Sequence, residues 1–138
     1  TVYYGDEVGV TGGDDPYNRM TYPWADLGGQ PDMALRADFK ALLKLRQEKP
    51  VLRRGQLSAP LLSTSNTMVL TRHTANAQVL MAFNNSDQIQ THTFTAPTAL
   101  LKQKGAMWWG NGTVKIQGKE MTITIPAMSG WIWGASSN

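Results

Sequence analysis

The chain changes periodicity once, at Pro50, and that switch limits the folds open to it. Upstream, Leu35, Phe39, Leu42 and Leu43 recur at i, i+4, i+7 and i+8, one apolar stripe at helical spacing. Pro31-Asp32 reads as the helix start, because the Asp32 carboxylate can accept from free backbone N–H groups and suits the positive end of the helix dipole. Pro50 ends it, having no N–H and disfavouring helical geometry at Lys49.

Downstream the period is two. Strands are expected over Gln56–Leu62, Thr67–Arg72, Gln78–Asn84, Gln90–Thr95, Ala106–Trp109, Thr113–Ile116, Met121–Ile125 and Gly130–Trp133. Turn residues separate them, as at Asn84-Asn85-Ser86-Asp87, Gly110-Asn111-Gly112 and Gln117-Gly118-Lys119. Short strands so closely spaced, with no helix signal between them, predict an antiparallel sandwich or barrel. Trp131 and Trp133 share one face of their strand and are expected in its core. Trp108 and Trp109 are neighbours and should point to opposite faces, which leaves one as a candidate exposed sugar platform. His73 and His92 have no partner at a metal-ligand spacing, and Ala135–Asn138 reads as a frayed end.

The first twenty-four residues are of another kind. Thr1-Val2-Tyr3-Tyr4 has the composition of a buried strand. Gly5 breaks it, and a loop rich in Gly, Asp and Asn runs on to Trp24. A strand that releases carboxylates, an Arg and aromatics at its C-terminal end is how α/β barrels place ligand-contacting groups. Tyr3-Tyr4-Gly5-Asp6-Glu7-x-Gly9, then Gly12-Gly13-x-Asp15-Pro16-x-x-Arg19, then Tyr22-Pro23-Trp24 resembles the last barrel strand and following loop of the α-amylase family of glycoside hydrolases. Neopullulanases, cyclomaltodextrinases and amylopullulanases are the members it most resembles. The match runs on through the helix around Phe39 to Pro50, and more loosely to the C-terminus.

The resemblance implies a mainly β chain in two parts. Residues 1–49 would be the last strand, acidic loop and last helix of a (β/α)8 barrel, and residues 50–138 a C-terminal antiparallel Greek-key β-sandwich. The parent would be a retaining hydrolase of α-1,4 glucosidic bonds, with α-1,6 bonds left open. Such enzymes use two carboxyl groups about 5–5.5 Å apart, and the family draws them from motifs on earlier barrel strands. None of those motifs stands at a strand end here, so no catalytic residue is assigned and the chain alone is expected to be inactive. Asp6 with Glu7 does not substitute, since neighbours on a strand point to opposite faces, and Asp14-Asp15 sits in a loop beside proline.

In the resembled enzymes the Asp-Pro-x-x-Arg pair, here Asp15 and Arg19, hydrogen-bonds glucose hydroxyls. A carboxylate accepts from hydroxyls, a guanidinium donates in a fixed fork, and each orients the other. The alternative is that they only pin the loop. Tyr17 and Trp24, with Tyr22, can stack on the apolar face of a sugar or pack the loop onto the barrel rim. No cofactor is expected. Ca²⁺ is a lesser alternative, because Asp6, Glu7, Asp14 and Asp15 do not form the spaced ladder of an EF-hand loop.

Composition removes other classes. Residues 1–28 carry five acids against Arg19, so the net charge of +3 comes from the remainder. There the basic residues are spread singly, with Arg53-Arg54 the one adjacent pair, whereas nucleic-acid binding needs a clustered basic face. No apolar run approaches the roughly 20 residues needed to span a bilayer. With no Cys there is neither disulfide nor thiolate metal site, and the compartment, extracellular or cytoplasmic, stays open. The expected partners are an α-glucan and either the remainder of the parent barrel or a second copy of the chain. The alternatives of other classes are a non-catalytic carbohydrate-binding β-domain, with Trp108 or Trp109 as platform, and a purely structural domain.

Overall fold

A computed structural model describes residues 2–101 and 104–136, and the chain divides into two units, Thr1–Leu45 and Arg46–Asn138. Each is taken by itself. Among the described residues no helix is long and apolar enough to cross a membrane.

The second unit is a sandwich of two antiparallel sheets. Its strands are β1 (Gln56–Leu57), β2 (Leu62–Ser63), β3 (Thr67–His73), β4 (Ala77–Asn84), β5 (Gln90–Thr95), β6 (Gly105–Gly110), β7 (Thr113–Gln117), β8 (Glu120–Ile125) and β9 (Ser129–Ser136). One sheet has the order β1-β3-β4-β9-β6, with β2 also on β3, and the other β5-β8-β7. The chain therefore crosses between sheets after β4, β5, β6 and β8, and β9 returns to lie between β4 and β6. The inward residues of the first sheet, Val69, Leu80, Ala82, Trp131 and Trp133, meet Met121, Ile123 and Ile125 of the second in one core. Period-two patterning is the cause, since alternate residues line one face.

The expected sandwich and the inward Trp131 and Trp133 are present, and four local readings change. The strand expected at Gln56–Leu62 is two short pieces, because Pro60 offers no N–H to the ladder. Both pieces still pair with β3, and Leu61 N–H donates to Val69 O at 2.9 Å. Two short helices were not anticipated. In α2 (Pro50–Arg54) the proline that ends the preceding helix also occupies the first turn of the next, where its missing N–H costs nothing. Arg72 secures this turn by donating to the Leu52 and Gly55 carbonyls, and Arg46 also donates to Leu52 O. The other short helix, α3 (Thr98–Leu101), buries Leu100.

The remaining two changes concern the sheet's last strands. Ala135 is 1% exposed and paired on both sides, to Gln78 and Gly105, so it belongs to the core rather than to a frayed end. Ser137 and Asn138 lie outside the described residues. Trp108 and Trp109 do not oppose each other, because the register shifts between Met107 and Trp109. An extra residue in a strand re-aims side chains. Trp109 sits opposite Ile132, and the Trp108 ring lies over Gly134, both positions on the outer face. Both Trp side chains are half-buried, and Lys49 Nζ stands 4.8 Å from the Trp108 ring centre.

Asn84 joins the sheets. Its buried side-chain N–H₂ donates to Gln88 O at 2.7 Å, Pro126 O at 2.8 Å and Ile125 O at 3.3 Å, while its Oδ1 accepts from Ser86 N–H and Oγ–H. Asn84→Ala strands those carbonyls and is expected to lower unfolding stability by about 1–3 kcal/mol. Urea denaturation reads this as an earlier midpoint with an unchanged slope.

Candidate functional site

The first unit is a folded loop followed by helix α1 (Met33–Glu48). The strand expected at Thr1–Tyr4 is not formed at Val2–Tyr4, and Thr1 lies outside the described residues. A strand is held by ladder bonds to neighbours, and none is present here. Instead Asp6 Oδ2 accepts from Tyr3 N–H at 3.0 Å and Asp6 N–H donates to Tyr3 O at 3.0 Å, closing a turn that leaves Tyr3 and Tyr4 exposed. A single 3₁₀ turn, Asp6–Val8, follows between Gly5 at φ 83° and Gly9 at φ 68°. Both are left-handed conformations that favour glycine.

Val8 anchors the loop. Its side chain is 2% exposed, and its carbonyl accepts from Asp32 N–H at 3.1 Å. Asp32 then caps α1 as its sequence position implied, with Oδ1 accepting from Leu35 N–H at 2.9 Å. The half-buried stripe on α1 is Leu35, Phe39, Leu42 and Leu45. Leu43, expected in that stripe, is exposed, because the helical repeat carries it round to the adjoining face.

The Gly12–Arg19 segment folds back on itself. Tyr17 N–H donates to Asp14 O at 2.7 Å and Gly13 N–H to Tyr17 O at 3.4 Å, around a cis Asp15-Pro16 bond. A Cβ on Gly12 would lie 2.7 Å from Tyr17 O, so only glycine fits that crossing. The fold-back brings together two of the four expected site residues. Arg19 Nη2 donates to Asp15 Oδ1 at 2.8 Å, with the side chains 61% and 68% exposed respectively. So open an ion pair contributes at most about 1 kcal/mol, which is little for a loop clasp.

Tyr17 projects into solvent. Trp24 is placed by a different turn, Ala25–Leu27, where Leu27 and Gly29 N–H groups donate to Trp24 O at 3.1 and 2.9 Å. Its ring packs on Tyr22 with centres 4.5 Å apart, and it too is exposed. A shallow pocket of about 100 Å³ opens among Tyr3, Tyr4, Asp6, Asn18 and Met20. Ligand pockets run to several hundred Å³, so this recess suits one substituent rather than a whole ring. Asn18 and Met20 had not been singled out. Their signal was their position on either side of Arg19.

Catalytic groups were not assigned from sequence. Arg36-Ala37-Asp38 has the letters Arg-x-Asp, but the three residues are exposed within α1 rather than at a strand end. Among the described residues no group of three or more His, Asp or Glu side chains could hold a metal ion. His73 Nδ1 meets Ser58 Oγ at 3.3 Å and His92 Nε2 meets Thr67 Oγ1 at 3.4 Å, both within the sandwich.

No protein-family model matches the chain. Its sequence is similar to the amylopullulanase of Thermoanaerobacterium saccharolyticum, 34% identical over 145 residues, covering 94% of this chain and 11% of that protein. It is also similar to the cyclomaltodextrinase of Geobacillus thermopakistaniensis strain MAS1, 32% identical over 88 residues, covering 63% of this chain and 15% of that protein. Among solved structures, a debranching enzyme from Nostoc punctiforme superimposes with a TM-score of 0.79 at 26% identity, covering 99% of this chain and 27% of that one. An Anoxybacillus α-amylase shares the fold with a TM-score of 0.79 at 21% identity, over 98% of this chain and 28% of that one. These structures carry a β-sandwich as their C-terminal domain. The chain is thus homologous to a segment of the α-amylase family of glycoside hydrolases, as the Tyr3–Trp24 motifs implied. It spans little more than a tenth of the amylopullulanase and about a quarter of the solved chains.

Asp32→Ala is expected to weaken the start of α1 by about 1 kcal/mol, the usual worth of such a cap. Hydrogen exchange should then show the Leu35 amide several-fold less protected, with β-sandwich amides unchanged.

Proposed function

We propose that this chain is the C-terminal part of a retaining α-glucan hydrolase acting on α-1,4 bonds, with α-1,6 bonds as a further substrate class. Its first unit supplies part of the rim of the sugar cleft, and its sandwich is a supporting domain. The catalytic carboxylates belong to the part of the parent enzyme that precedes Thr1. The observation that carries this reading is the Asp15–Arg19 pair, fixed at 2.8 Å yet open to solvent, in a chain whose relatives are amylopullulanases and cyclomaltodextrinases.

The chemistry follows from the donors and acceptors. Asp15 Oδ1 is taken by Arg19, which leaves Oδ2 to accept from a glucose hydroxyl. Arg19 spends one of its five N–H donors on Asp15 and keeps the others for ring or hydroxyl oxygens. Because each side chain orients the other, the pair meets a sugar already arranged, and little rotamer freedom is lost on binding. Tyr17 and Trp24 offer apolar ring faces to the pyranose. The binding-module alternative draws less support, since the Trp108 ring faces Gly134 and Lys49.

Asp15→Ala in the complete enzyme removes a charged hydrogen bond of about 1.5–3 kcal/mol. This predicts kcat/KM for maltooligosaccharides roughly 10- to 100-fold lower, with thermal stability kept. Unchanged kinetics would take Asp15 out of the cleft. The 138-residue chain by itself is expected to release no reducing sugar from soluble starch.

A further inference from the structure

The two outer faces of the sandwich differ in chemistry. On the three-stranded sheet the outward row is polar: Thr91 and Thr124 face each other with hydroxyls 3.3 Å apart, Thr93 and Thr122 at 2.9 Å, and Lys115 pairs opposite Thr122. That is what a solvated sheet face looks like. The six-stranded sheet reads otherwise. Its register sets Met68 opposite Phe83, Leu70 opposite Met81, Met81 opposite Ile132, and Ile132 opposite Trp109, all on the face away from the core.

Helix α2 covers only one end of this face, where Val79 is fully buried. At the other end Met68 is 43% and Phe83 46% exposed, and Leu70, Met81, Trp109 and Ile132 are half-buried. A contiguous apolar patch of this kind marks an interaction surface.

We propose that this face joins two copies of the chain, sheet against sheet about a two-fold axis. None of its six side chains carries a charge or needs a hydrogen-bond partner beyond the Trp109 N–H. Apposing the patch with itself therefore meets no like-charge repulsion and desolvates no ion, the terms that usually forbid self-contact. A two-fold contact uses the same patch on both copies, and sheet faces stack about 10 Å apart with interdigitated side chains. The inference does not depend on the sugar-cleft reading.

Sedimentation velocity of the 138-residue chain between about 1 and 100 µM, a range that brackets micromolar affinity, tests it. The wild-type chain should sediment as a dimer. Phe83→Lys, and separately Met68→Lys, should each weaken dimerisation at least about tenfold by placing like charges across the axis. Both positions are too exposed for the lysine to unfold the sheet, and unchanged far-ultraviolet circular dichroism would confirm this. Leu43→Lys, on the exposed side of α1, should leave the dimer intact. A monomeric wild-type chain throughout would overturn the proposal, as would dissociation by Leu43→Lys but not by Phe83→Lys.

Discussion

Strand β9 is the piece without which the sandwich has no centre. It pairs along its length with β4 on one side and β6 on the other, and it sends Trp131 and Trp133 inward against Met121, Ile123 and Ile125 of the opposite sheet. The Trp131 indole N–H, buried with its ring, donates across to Thr124 O at 3.1 Å, so the largest core side chain leaves no polar atom stranded. Burial of large aromatics between two hydrogen-bonded layers is the dominant favourable term for a domain of this size. Everything else in the second unit is arranged around that slab.

The first unit is organised differently. It has one buried side chain in its loop, Val8, and depends on backbone and capping bonds: Val8 O to Asp32 N–H, Asp32 to the α1 N-terminus, and the small ring of bonds through Asp14, Gly13 and Tyr17. Such a loop presents charged and aromatic side chains outward because little of it is needed for packing. The exposed Asp15–Arg19 pair is the consequence, and loops on firm anchors are where ligand contacts concentrate.

Much of this was legible in the sequence. Period-two runs located seven of the nine strands to within a residue or two at most boundaries, except at the end of β9, because each has one face on the core. The Asp32 cap and the Pro50 stop were readable because each follows from a single residue's chemistry. The failures share a cause as well. Whether Thr1–Tyr4 is a strand, whether Trp108 and Trp109 diverge, and whether Ala135 is frayed are all decided by partners far along the chain. Local composition does not report a neighbour's absence, a bulge or a second flanking strand. The cleft-rim residues were found by motif resemblance, and Asn18 and Met20 were overlooked because their role in lining the recess arises only from the fold-back between Gly12 and Arg19.

The account's central claim is that Asp15 and Arg19 touch sugar. A crystal structure of the complete parent enzyme soaked with a maltooligosaccharide tests it most directly. Both side chains should lie within hydrogen-bond reach of hydroxyls on one glucose ring while keeping their own ion pair. A bound oligosaccharide that runs elsewhere, with the pair facing only solvent or protein, would contradict it.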